Sequence, residues 1–410
     1  MKKIAILIDL ELTKTSGGHV KFWERICNAI KNEKLDFYLE LFFLGKWKRK
    51  IRVSKFITIN LIKPTLPSKI LRFIGIDADT TDLFPFNFSL FLYLKKFDLI
   101  HTTDQLFSMS RTARAASKVW KKPLTSSYHT DAPSYTEYYL TKIFNKLPKF
   151  LKSFLFLYLK LPQKISSNQK KRIKKYFNDC NKVIIGNEYM NDKLFFEEKT
   201  KKVYELRRGI DKKIFKKKEV DKDSLLKEHK IKNNFIIFFC GRIHELKGAL
   251  FLSEIHKIIK QKGFDISTIL AGENIHGKLC KKIAGDGLHI INYLDETEIA
   301  SFMNICDLFV FPSLYETGPQ VIIEAKSCKA LCIVSPNGGG KKINKNGVDG
   351  IIVEKFTLED WSDQILRLIK EKKKINKIKN FLCQNDNQES WIDIYHSCFS
   401  EHWKKLIGFK

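Results

Sequence analysis

Apolar positions along this chain of 410 residues form short continuous runs that alternate with segments of helical spacing, and this alternation occurs twice. The first series begins with the run Ile4–Ile8, a glycine turn at Ser16–Gly18 and the amphipathic segment His19–Lys31. The second begins with the run Phe235–Cys240 and the helical pattern Lys247–Gly263. Continuous apolar runs are typical of strands covered on both faces, and strands that alternate with helices indicate parallel sheets. The pattern predicts an α/β fold with two doubly wound parallel-sheet domains.

The boundary between the two domains is predicted in a connector that is rich in lysine. Lysines are dense over Lys212–Lys232, as expected for an exposed segment between two cores. We place the boundary near Ile210–Lys218, with an N-terminal domain over residues 1–212 and a C-terminal domain over residues 213–387.

The charge of the chain widens the range of partners to consider. Lys and Arg number 74 against 45 Asp and Glu, which gives a formal net charge of +29. A surface of this sign attracts nucleic acid, anionic lipid headgroups or substrates that carry phosphate. A coding bias toward A/T-rich codons is an alternative source of the lysines, because Ile, Asn and Phe are frequent as well.

The cysteines and the lengths of the apolar runs predict a cytoplasmic protein. Cysteine occurs nine times, an odd number, and never as a Cys-x-x-Cys pair, so neither a disulfide framework nor a zinc site is predicted. Asp9 and Glu11 interrupt the first apolar run before it reaches the length of a signal peptide. The longest uncharged apolar stretch, Leu83–Leu94, is shorter than the roughly 20 residues of a membrane-spanning helix.

Two carboxylates eight residues apart form the most specific motif. Glu316 follows the apolar run Leu308–Phe311, and Glu324 is expected about two turns inside the next helix. Between them, Gly318 allows the backbone to approach a ligand, and the helix N-terminus offers N–H groups to a phosphate. Glu324 can accept two hydrogen bonds from the vicinal hydroxyls of a ribose. An exposed glutamate on a helix is the alternative interpretation.

Two cations follow the strand Phe235–Cys240 that opens the second series. Arg242 and Lys247 lie five residues apart around a strand–helix turn that contains Gly241 and Gly248. A guanidinium and an ammonium in this arrangement can clamp a diphosphate from two sides. The alternative is a pair of ordinary surface cations. The two motifs together, on successive parts of one α/β domain, favour a site for a nucleoside diphosphate.

These residues resemble the C-terminal half of the family-4 retaining glycosyltransferases, the glycosyl transferases group 1, which have the GT-B fold. The resemblance is carried by GRIHELKG, by LFVFPSLYETGPQVIIEA with its Glu-x7-Glu element, and by SPNGGG followed by NGVDGIIV. The N-terminal half matches more loosely, through Gly17, Gly18 and the segment Ser126–Tyr139. That segment is similar to the branch of the family that glycosylates lipids and lipid-linked acceptors.

The resemblance implies an architecture and roles for the charged residues. GT-B proteins have two Rossmann-like domains that face an interdomain cleft, and the C-terminal helix, here 388–410, crosses back to join the N-terminal domain. Arg242 and Lys247 would hold the diphosphate of the donor. Glu324 would hold its ribose, and Glu316 would contact hydroxyls of the donor sugar from the far side.

The resemblance also implies roles for uncharged residues. Gly17 and Gly18 would approach the donor diphosphate from the N-terminal domain, and His129 would hydrogen-bond a hydroxyl of the donor sugar near the reacting centre. Tyr293 and Leu294 would frame the nucleobase through backbone groups. For His129 the alternative is a buried histidine whose ring is satisfied by backbone at the end of a strand.

The implied reaction is a retaining, metal-independent transfer of a hexose from a nucleotide-diphosphate sugar. The acceptor would be a hydroxyl of a membrane lipid or of a cell-surface glycan precursor, and no cofactor is expected. Negative charge builds on the leaving diphosphate in the transition state, and Arg242 and Lys247 would stabilise it without a metal. We do not expect Glu316 to act as a covalent nucleophile.

Some residues depart from the family pattern and point to an altered donor preference. Pro319 stands beside Gly318 in the donor-binding loop, where the family usually has glycine, and it offers no N–H to a phosphate. Asn292 also replaces a common glycine. Lys341 or Lys342 lies where an acidic residue often follows the double glycine.

A basic and aromatic stretch over residues 147–177 suits an anionic membrane surface. Lysines attract anionic lipid, while Phe, Leu and Tyr enter the interface, so this stretch predicts a peripheral protein on the inner face of the cell membrane. The alternative is a core helix with a solvated lysine face.

Other classes of protein are open alternatives. The net charge invites a basic nucleic-acid-binding protein, but the sequence shows no zinc finger, RNP-type aromatic motif or helix-turn-helix signature, so no nucleic-acid partner is expected. A GT-B sugar-nucleotide epimerase or an inactive partner subunit would carry the same motifs.

Overall fold

The computed structural model describes residues 1–13, 16–74, 76, 79–186, 202–316, 318–337, 339–385 and 388–408. The chain divides into a first unit, Met1–Gly209 with Trp391–Lys410, and a second unit, Ile210–Ser390. The predicted domains, 1–212 with 388–410 and 213–387, differ from these units by three residues at each boundary. Asn387, at the second predicted boundary, lies outside the described residues.

Strands and helices are numbered in chain order. The strands are β1 Lys2–Glu11, β2 Phe37–Leu44, β3 Arg49–Arg52, β4 Ile57–Ile62, β5 Leu99–Thr102, β6 Leu124–Ser127, β7 Lys182–Ile185, β8 Val203–Glu205, β9 Phe235–Cys240, β10 Ile266–Ala271, β11 Leu288–Ile291, β12 Leu308–Phe311, β13 Cys332–Val334 and β14 Ile351–Ile352. The helices are α1 Gly18–Ile30, α2 Phe88–Leu94, α3 Ser108–Trp120, α4 Ala132–Phe144, α5 Lys149–Ser153, α6 Leu161–Asp179, α7 Lys222–Glu228, α8 Ala249–Gln261, α9 Gly277–Ala284, α10 Glu296–Ile305, α11 Gln320–Ser327, α12 Leu358–Lys370, α13 Lys372–Gln384, α14 Trp391–Ile394 and α15 Glu401–Ile407. Turns of 3-10 helix lie at Ser68–Ile74, Glu245–Lys247 and Gly340–Lys342, and π-helical segments at Phe154–Tyr158 and Tyr395–Ser400.

The first unit is built on a sheet of strand order β3-β4-β2-β1-β5-β6-β7-β8. Its strand pairs are parallel except β3 with β4. The central strand β1 is buried over Ile4–Ile8, as its continuous apolar run predicts. Because parallel strands end at one edge, Gly17 after β1 and His129 after β6 lie at the same edge of this sheet.

The C-terminal segment of the chain completes the core of the first unit. Trp391, Phe399 and Trp403 are buried there together with Phe22 and Trp23 of α1. The Trp23 and Phe399 ring centroids lie 4.9 Å apart. The return of the C-terminal segment, which the resemblance implied, is therefore held by aromatic packing.

The second unit has a sheet of strand order β11-β10-β9-β12-β13-β14, and its strand pairs are parallel. Its apolar core is separate from those of the first unit. The two parallel α/β units confirm the predicted fold class. At the carboxyl ends of β9 and β12, the middle strands, the chain enters α8 and α11, so both predicted motifs lie at one edge of this sheet.

Local sequence accounts for the ends of several helices. Asp295 accepts hydrogen bonds from the N–H groups of Thr297 and Glu298, and the Glu298 side chain accepts one from Asp295 N–H, which forms a capping box for α10. Gly263, with φ of +83°, follows the end of α8. In the described part of the chain, no helix combines the length and apolar character needed to cross a membrane.

Candidate active site

Three loops of the second unit meet at the carboxyl edge of its sheet, because β10, β9 and β12 are neighbours. A Cβ at Gly272, after β10, would lie 2.2 Å from the carbonyl oxygen of Gly241, after β9. A Cβ at Gly248 would lie 2.1 Å from the carbonyl oxygen of Pro312, after β12. Both glycines also have positive φ, 139° and 80°, which L side chains rarely adopt. Close backbone contact at these glycines gathers the loops that carry the predicted residues.

Lys247 and Glu316 are in direct contact. The Lys247 ammonium donates to Glu316 Oε1 at 2.6 Å, and their side chains are 24% and 11% exposed. The Ser313 hydroxyl also lies 3.0 Å from the same carboxylate oxygen. An ion pair that is mostly shielded from water holds its members in place better than a solvated one, so the loop after β12 is fixed against the turn after β9.

Arg242 pairs with a carboxylate that the sequence analysis missed. Its Nε donates to Glu273 Oε2 at 2.9 Å, and the Glu273 side chain is 40% exposed. Glu273 lies in the loop after β10, and Ile243 N–H donates to its carbonyl oxygen at 2.8 Å. One pattern in the sequence could have located Glu273: strand β10 is followed by a glycine and an acid, and the neighbouring strand β9 is followed by Arg242.

Two stacked histidines hold the turn that carries Lys247, and the sequence analysis missed them as well. The rings of His244 and His276 are 4.7 Å apart with an interplanar angle of 21°. Leu246 N–H donates to Nδ1 of His244 at 3.2 Å, and Glu245 N–H donates to Nδ1 of His276 at 3.3 Å. Both Nδ1 atoms act as acceptors, so each neutral ring carries its proton on Nε2.

Glu324 is buried, with 2% of its surface exposed. It is the fifth residue of α11, which begins at Gln320, so it lies little more than one turn inside the helix. The prediction of two turns was wrong, because the helix starts later than its apolar pattern indicates. The alternative of an exposed glutamate on a helix is also wrong.

A buried ion pair beside Glu324 anchors the glycine-rich loop after β13. The Lys326 ammonium donates to Asp349 Oδ2 at 2.7 Å and to the carbonyl oxygen of Lys342 at 2.7 Å. Burial alone would raise the pKa of Asp349, but hydrogen bonds from Lys326 and from the N–H groups of Lys345 and Asn344 outweigh it and lower that pKa. Lys341 and Lys342, where the sequence departs from the family pattern, therefore lie in a loop that Lys326 holds in place.

The remaining predicted residues of the second unit border the same edge. Gly318 has φ of +138°, and Pro319 stands at the N-cap of α11 without giving it a side-chain cap. After β11, Tyr293 is 62% exposed and Leu294 is buried. Asn292 accepts from the Asn274 side chain at 3.0 Å, which joins this loop to the loop after β10.

His129 belongs to the first unit and is 4% exposed. Its Nε2 lies 2.8 Å from Ser127 Oγ, and His19 stacks on the ring with centroids 4.4 Å apart at 11°. The alternative of a histidine satisfied by backbone is therefore wrong for Nε2, whose partner is a side chain. Because the ring is so covered, contact with a sugar hydroxyl requires neighbouring side chains to move.

Burial keeps the histidines around this point neutral. Desolvation, and after it the nearby His19 and Arg208 side chains, lower the pKa of His129 well below its ordinary value. Desolvation also lowers the pKa of His19 and that of His101 to about 3. At neutral pH these imidazoles carry no charge.

Gly17 and Gly18 stand at the start of α1. Gly17 is its extended N-cap residue, and no side chain caps the helix. A Cβ built at Gly18 would meet nothing within 4 Å, so space is open above the first turn. In the described residues of the two units, no three His, Cys, Asp or Glu side chains are grouped as they would be around a metal ion.

Residues 221–381 match the family model described as Glycosyl transferases group 1. The second unit belongs to the group 1 glycosyl transferases. The match confirms the family predicted from the Glu-x7-Glu and Arg–Lys motifs. The roles of the individual residues remain predictions.

Two curated relatives resemble this group 1 unit. The capsular polysaccharide biosynthesis glycosyltransferase CapM of Staphylococcus aureus is 30% identical over 163 residues, which cover 38% of this chain and 43% of that protein. The UDP-Gal:alpha-D-GlcNAc-diphosphoundecaprenol alpha-1,3-galactosyltransferase of Escherichia coli is 26% identical over 171 residues, which cover 38% and 41%. The chain spans less than half the length of either relative.

Among solved structures, Anabaena Alr3699/HepE in complex with UDP-glucose resembles the whole chain. The TM-score is 0.67 at 15% identity, and the match covers 99% of this chain and 100% of that one. At this identity the likeness shows the fold alone. The fold is GT-B, as the sequence predicted.

Proposed function

We propose that this protein is a retaining, metal-independent glycosyltransferase that moves a hexose from a nucleotide-diphosphate sugar to a hydroxyl of a membrane lipid or glycan precursor. The observation that carries the proposal is the set of two cations and two carboxylates at one edge of a group 1 unit. Arg242, Lys247, Glu316 and Glu324 all lie in loops or first helical turns at this edge. The names of the relatives and the UDP-glucose bound to HepE support a nucleotide-sugar donor.

The donor would be held by its diphosphate and its ribose. Arg242 and Lys247 come from one turn after β9, so two positive charges can face one diphosphate. Glu324 would accept from the ribose hydroxyls, and its burial excludes competing water. Tyr293 and Leu294 would frame the base, and Gly318 and Pro319 would border the diphosphate.

The chemistry would be charge stabilisation of the leaving group. Negative charge builds on the diphosphate as the glycosidic bond breaks, and fixed cations there lower the barrier. Glu316 is engaged by Lys247 and Ser313 through the same oxygen, which reduces its nucleophilicity and suits a role in holding sugar hydroxyls. Attack by the acceptor on the face that the leaving group vacates would retain the anomeric configuration.

A membrane-borne acceptor is supported by an exposed aromatic stripe on the first unit. Phe150, Phe154 and Tyr158 are four residues apart on α5 and the π-helical segment, and they are 76%, 50% and 79% exposed. The exposed Lys149 and Lys152 stand beside them. Aromatic rings with adjacent lysines suit the interface of an anionic bilayer. We therefore place the enzyme at the cytoplasmic face of the cell membrane.

The decisive experiment measures donor binding by Glu324→Ala and Lys247→Ala variants. A thermal-shift screen of UDP, GDP, ADP and their glucose conjugates first identifies the nucleotide that binds. Both variants should then bind it at least tenfold more weakly, because each removes a charged contact of roughly 1.5–3 kcal/mol. Circular dichroism confirms that the variants fold.

Lys262→Ala provides the matched control, since Lys262 is paired with Asp363 on the surface of the same unit. Unchanged donor affinity in both site variants contradicts the assignment. Conversion of the nucleotide sugar to its epimer without any acceptor would indicate an epimerase.

A further inference from the structure

The first unit contains a long stretch of sequence that is basic without any compensating acid. Residues 41–76 include nine Lys and Arg and no Asp or Glu. Five of these cations stand between Lys46 and Arg52, where Trp47 lies among them. This concentration of positive charge is separate from Arg242 and Lys247, which belong to the second unit.

The densest part of this stretch forms a turn and the outermost strand of the sheet. β3 runs antiparallel to β4, with Arg49 opposite Leu61, so the turn 45–48 crosses the carboxyl end of β4. Gly45 N–H donates to the carbonyl oxygen of Ile62 at 2.9 Å, and a Cβ at Gly45 would lie 3.1 Å from Leu61 Cβ. This close contact holds the turn at the carboxyl edge of the sheet, where α1 also begins.

The side chains of this turn and strand face solvent. Trp47 is 76% exposed, whereas the other five tryptophans of the chain are buried or half-buried. Ile51 packs against the core of the first unit and anchors the strand. Within the described residues, no acid pairs with four exposed cations of the turn and strand: Lys46, Lys48, Arg49 and Arg52. Their charge is therefore available to an anionic partner.

The chain that follows β4 adds exposed apolar side chains at the same carboxyl edge. Leu66, Ile70 and Phe73 are 42%, 56% and 80% exposed. The 3-10 helix that carries two of them is tied to the end of β1 by the ion pair of Lys69 with Glu11. Because β4, β2 and β1 are neighbours, this helix and the turn before β3 lie at the ends of adjacent strands. We name Lys46–Arg52 together with Leu66, Ile70 and Phe73 the Trp47 patch.

The composition of the Trp47 patch favours a bilayer over a soluble polyanion. The ring of tryptophan suits the boundary between water and hydrocarbon, where its body is in apolar surroundings and its N–H stays hydrated. Each Lys or Arg near an anionic membrane surface raises the affinity about fivefold. Nucleic acid also binds cations and aromatic rings, but Leu66 and Ile70 have neither charge nor a ring to stack on a base. Their burial is favourable in an apolar phase.

We propose that the Trp47 patch is a membrane contact of the first unit, in which Trp47, Ile70 and Phe73 enter the interface of an anionic bilayer and the five cations bind its headgroups. This surface is additional to the exposed aromatic stripe on α5 and the π-helical segment. It would bring a membrane-borne acceptor to the carboxyl edge where Gly17 and His129 lie. That consequence rests on the proposed function, whereas the membrane contact itself does not.

Fluorescence of Trp47 in the full chain tests the contact directly. The difference between the spectra of the parent and of Trp47→Phe gives the emission of Trp47 alone, and phenylalanine retains an apolar ring, so the variant should still bind. With vesicles of phosphatidylcholine and phosphatidylglycerol, this emission should shift to shorter wavelength and be quenched by lipids that are brominated in their acyl chains. Vesicles of phosphatidylcholine alone should leave it unchanged.

Three results would overturn the inference. The first is an unshifted and unquenched Trp47 in protein that co-sediments with the anionic vesicles, because the bilayer then contacts another surface. The second is a failure of the parent chain to bind these vesicles. The third is a change in Trp47 emission with duplex DNA or dextran sulfate but not with vesicles, because the occupant is then a soluble polyanion.

The cations of the Trp47 patch are tested by one variant that combines Lys48→Gln, Arg49→Gln and Arg52→Gln. It should bind anionic vesicles at least tenfold more weakly than the parent. The matched control combines changes that remove the same charge from exposed positions of α13 in the second unit: Lys372→Gln, Lys373→Gln and Lys377→Gln. The control should bind within about twofold of the parent. An equal loss in both variants would mean that net charge alone drives binding, which contradicts the inference.

Donor binding separates this inference from the proposed function. If Lys247→Ala and Glu324→Ala bind the nucleotide as the parent does while brominated lipids quench Trp47, the membrane contact stands and the proposed function is wrong. If both variants lose the nucleotide but Trp47 is not quenched, the proposed function stands and this inference is wrong.

Discussion

At the scale of single residues, each cation that would hold the donor is in contact with a carboxylate. Lys247 contacts Glu316, and Arg242 contacts Glu273. An incoming diphosphate must compete with these acids or share the cations with them. The two acids differ in surroundings: Glu316 is mostly shielded, whereas Glu273 is well exposed. Glu273 should therefore tune affinity, and Glu316 should matter for turnover.

Glu273→Gln should tighten donor binding. Removal of the negative charge releases Arg242 from an exposed ion pair, and such pairs contribute about 0.2–1 kcal/mol, so the donor Kd should fall by up to roughly fivefold. Calorimetric titration with the identified nucleotide measures the change. Asp363→Asn, which removes the partner of Lys262 on the surface, is the control and should have no effect. Weaker binding by Glu273→Gln would show that Glu273 orients Arg242 and does not compete with the ligand.

His101 should make the first unit sensitive to acid. Its pKa is lowered by burial to about 3 from an ordinary 6.5, so the folded state excludes a proton that the unfolded chain accepts below pH 6.5. The free energy of unfolding must therefore fall as the pH drops from 6.5 toward 3. His101→Gln should remove up to about 1.4 kcal/mol per pH unit from that dependence.

Urea unfolding of the parent chain and of His101→Gln at pH 7, 6 and 5 measures the difference. Asp9 changes the stability with pH in the opposite sense, because burial, and after it the charge of Asp104, raises its pKa well above the ordinary value. The comparison between variant and parent removes this contribution of Asp9. Equal pH dependence in the two proteins would show that His101 is protonated in the folded state.

At the scale of elements, the stretch 147–177 combines two features that its composition alone left open. It forms α5, a π-helical segment and α6, and α6 buries Ile173, Tyr176 and Phe177. The core-helix interpretation is therefore correct for α6. The segment before it instead exposes Phe150, Phe154 and Tyr158, and the rings of Phe154 and Tyr158 stack at 5.7 Å.

Replacement of Phe150, Phe154 and Tyr158 by serine should weaken binding to anionic vesicles at least tenfold, because each ring loses part of the roughly 1.5–3 kcal/mol that its burial yields. Co-sedimentation with vesicles of phosphatidylcholine and phosphatidylglycerol measures the effect. Phe381→Ser is the control, since Phe381 is 36% exposed on the lysine-rich α13 of the other unit. Equal binding by the triple variant and the parent would exclude the stripe as the membrane contact.

At the scale of the whole molecule, the chain enters the second unit once and leaves it once. Ile210 N–H donates to the carbonyl oxygen of Glu389 at 2.9 Å, and Ile210 forms a parallel bridge with Ser390. Entry and exit are thus side by side, and the residues after Ser390 return to the first unit. The first unit therefore depends on residues that follow the whole second unit along the chain.

Trp403→Ala should destabilise the first unit by about 3–5 kcal/mol, the usual cost of removing a large buried aromatic side chain. Trp403 is fully buried, with ring centroids 5.6 Å from Phe399 and 5.5 Å from His101. Amide exchange in β1 and β5 reports the loss. Lys405→Ala, on the exposed side of α15, is the control. A loss below about 1 kcal/mol would mean that the C-terminal return is dispensable for this core.

The residues that sequence analysis located and those that it missed differ in how their contacts are encoded. Arg242, Lys247, Glu316 and Glu324 stand at fixed spacings around strand–helix turns, so local pattern is enough to find them. The contacts that were missed join residues that are distant along the chain: Arg242 and Glu273 are 31 residues apart, Lys326 and Asp349 are 23 apart, and His101 and Ser127 are 26 apart. The spacing of residues along the chain does not indicate such pairs, because their members meet only when the helices, strands and loops that carry them pack side by side.

The sequence by itself determined the two parallel-sheet units, the family of the second unit and the position of its charged motif. Apolar periodicity and turn residues act over a few positions along the chain. They specify strands, helices and turns locally, so these elements can be predicted without knowledge of the tertiary structure. The tertiary structure decided which carboxylate contacts which cation, that Glu324 and His129 are buried, and which aromatic rings remain exposed. Those properties depend on how strands and helices pack, since burial and pairing are set by neighbours that are distant along the chain.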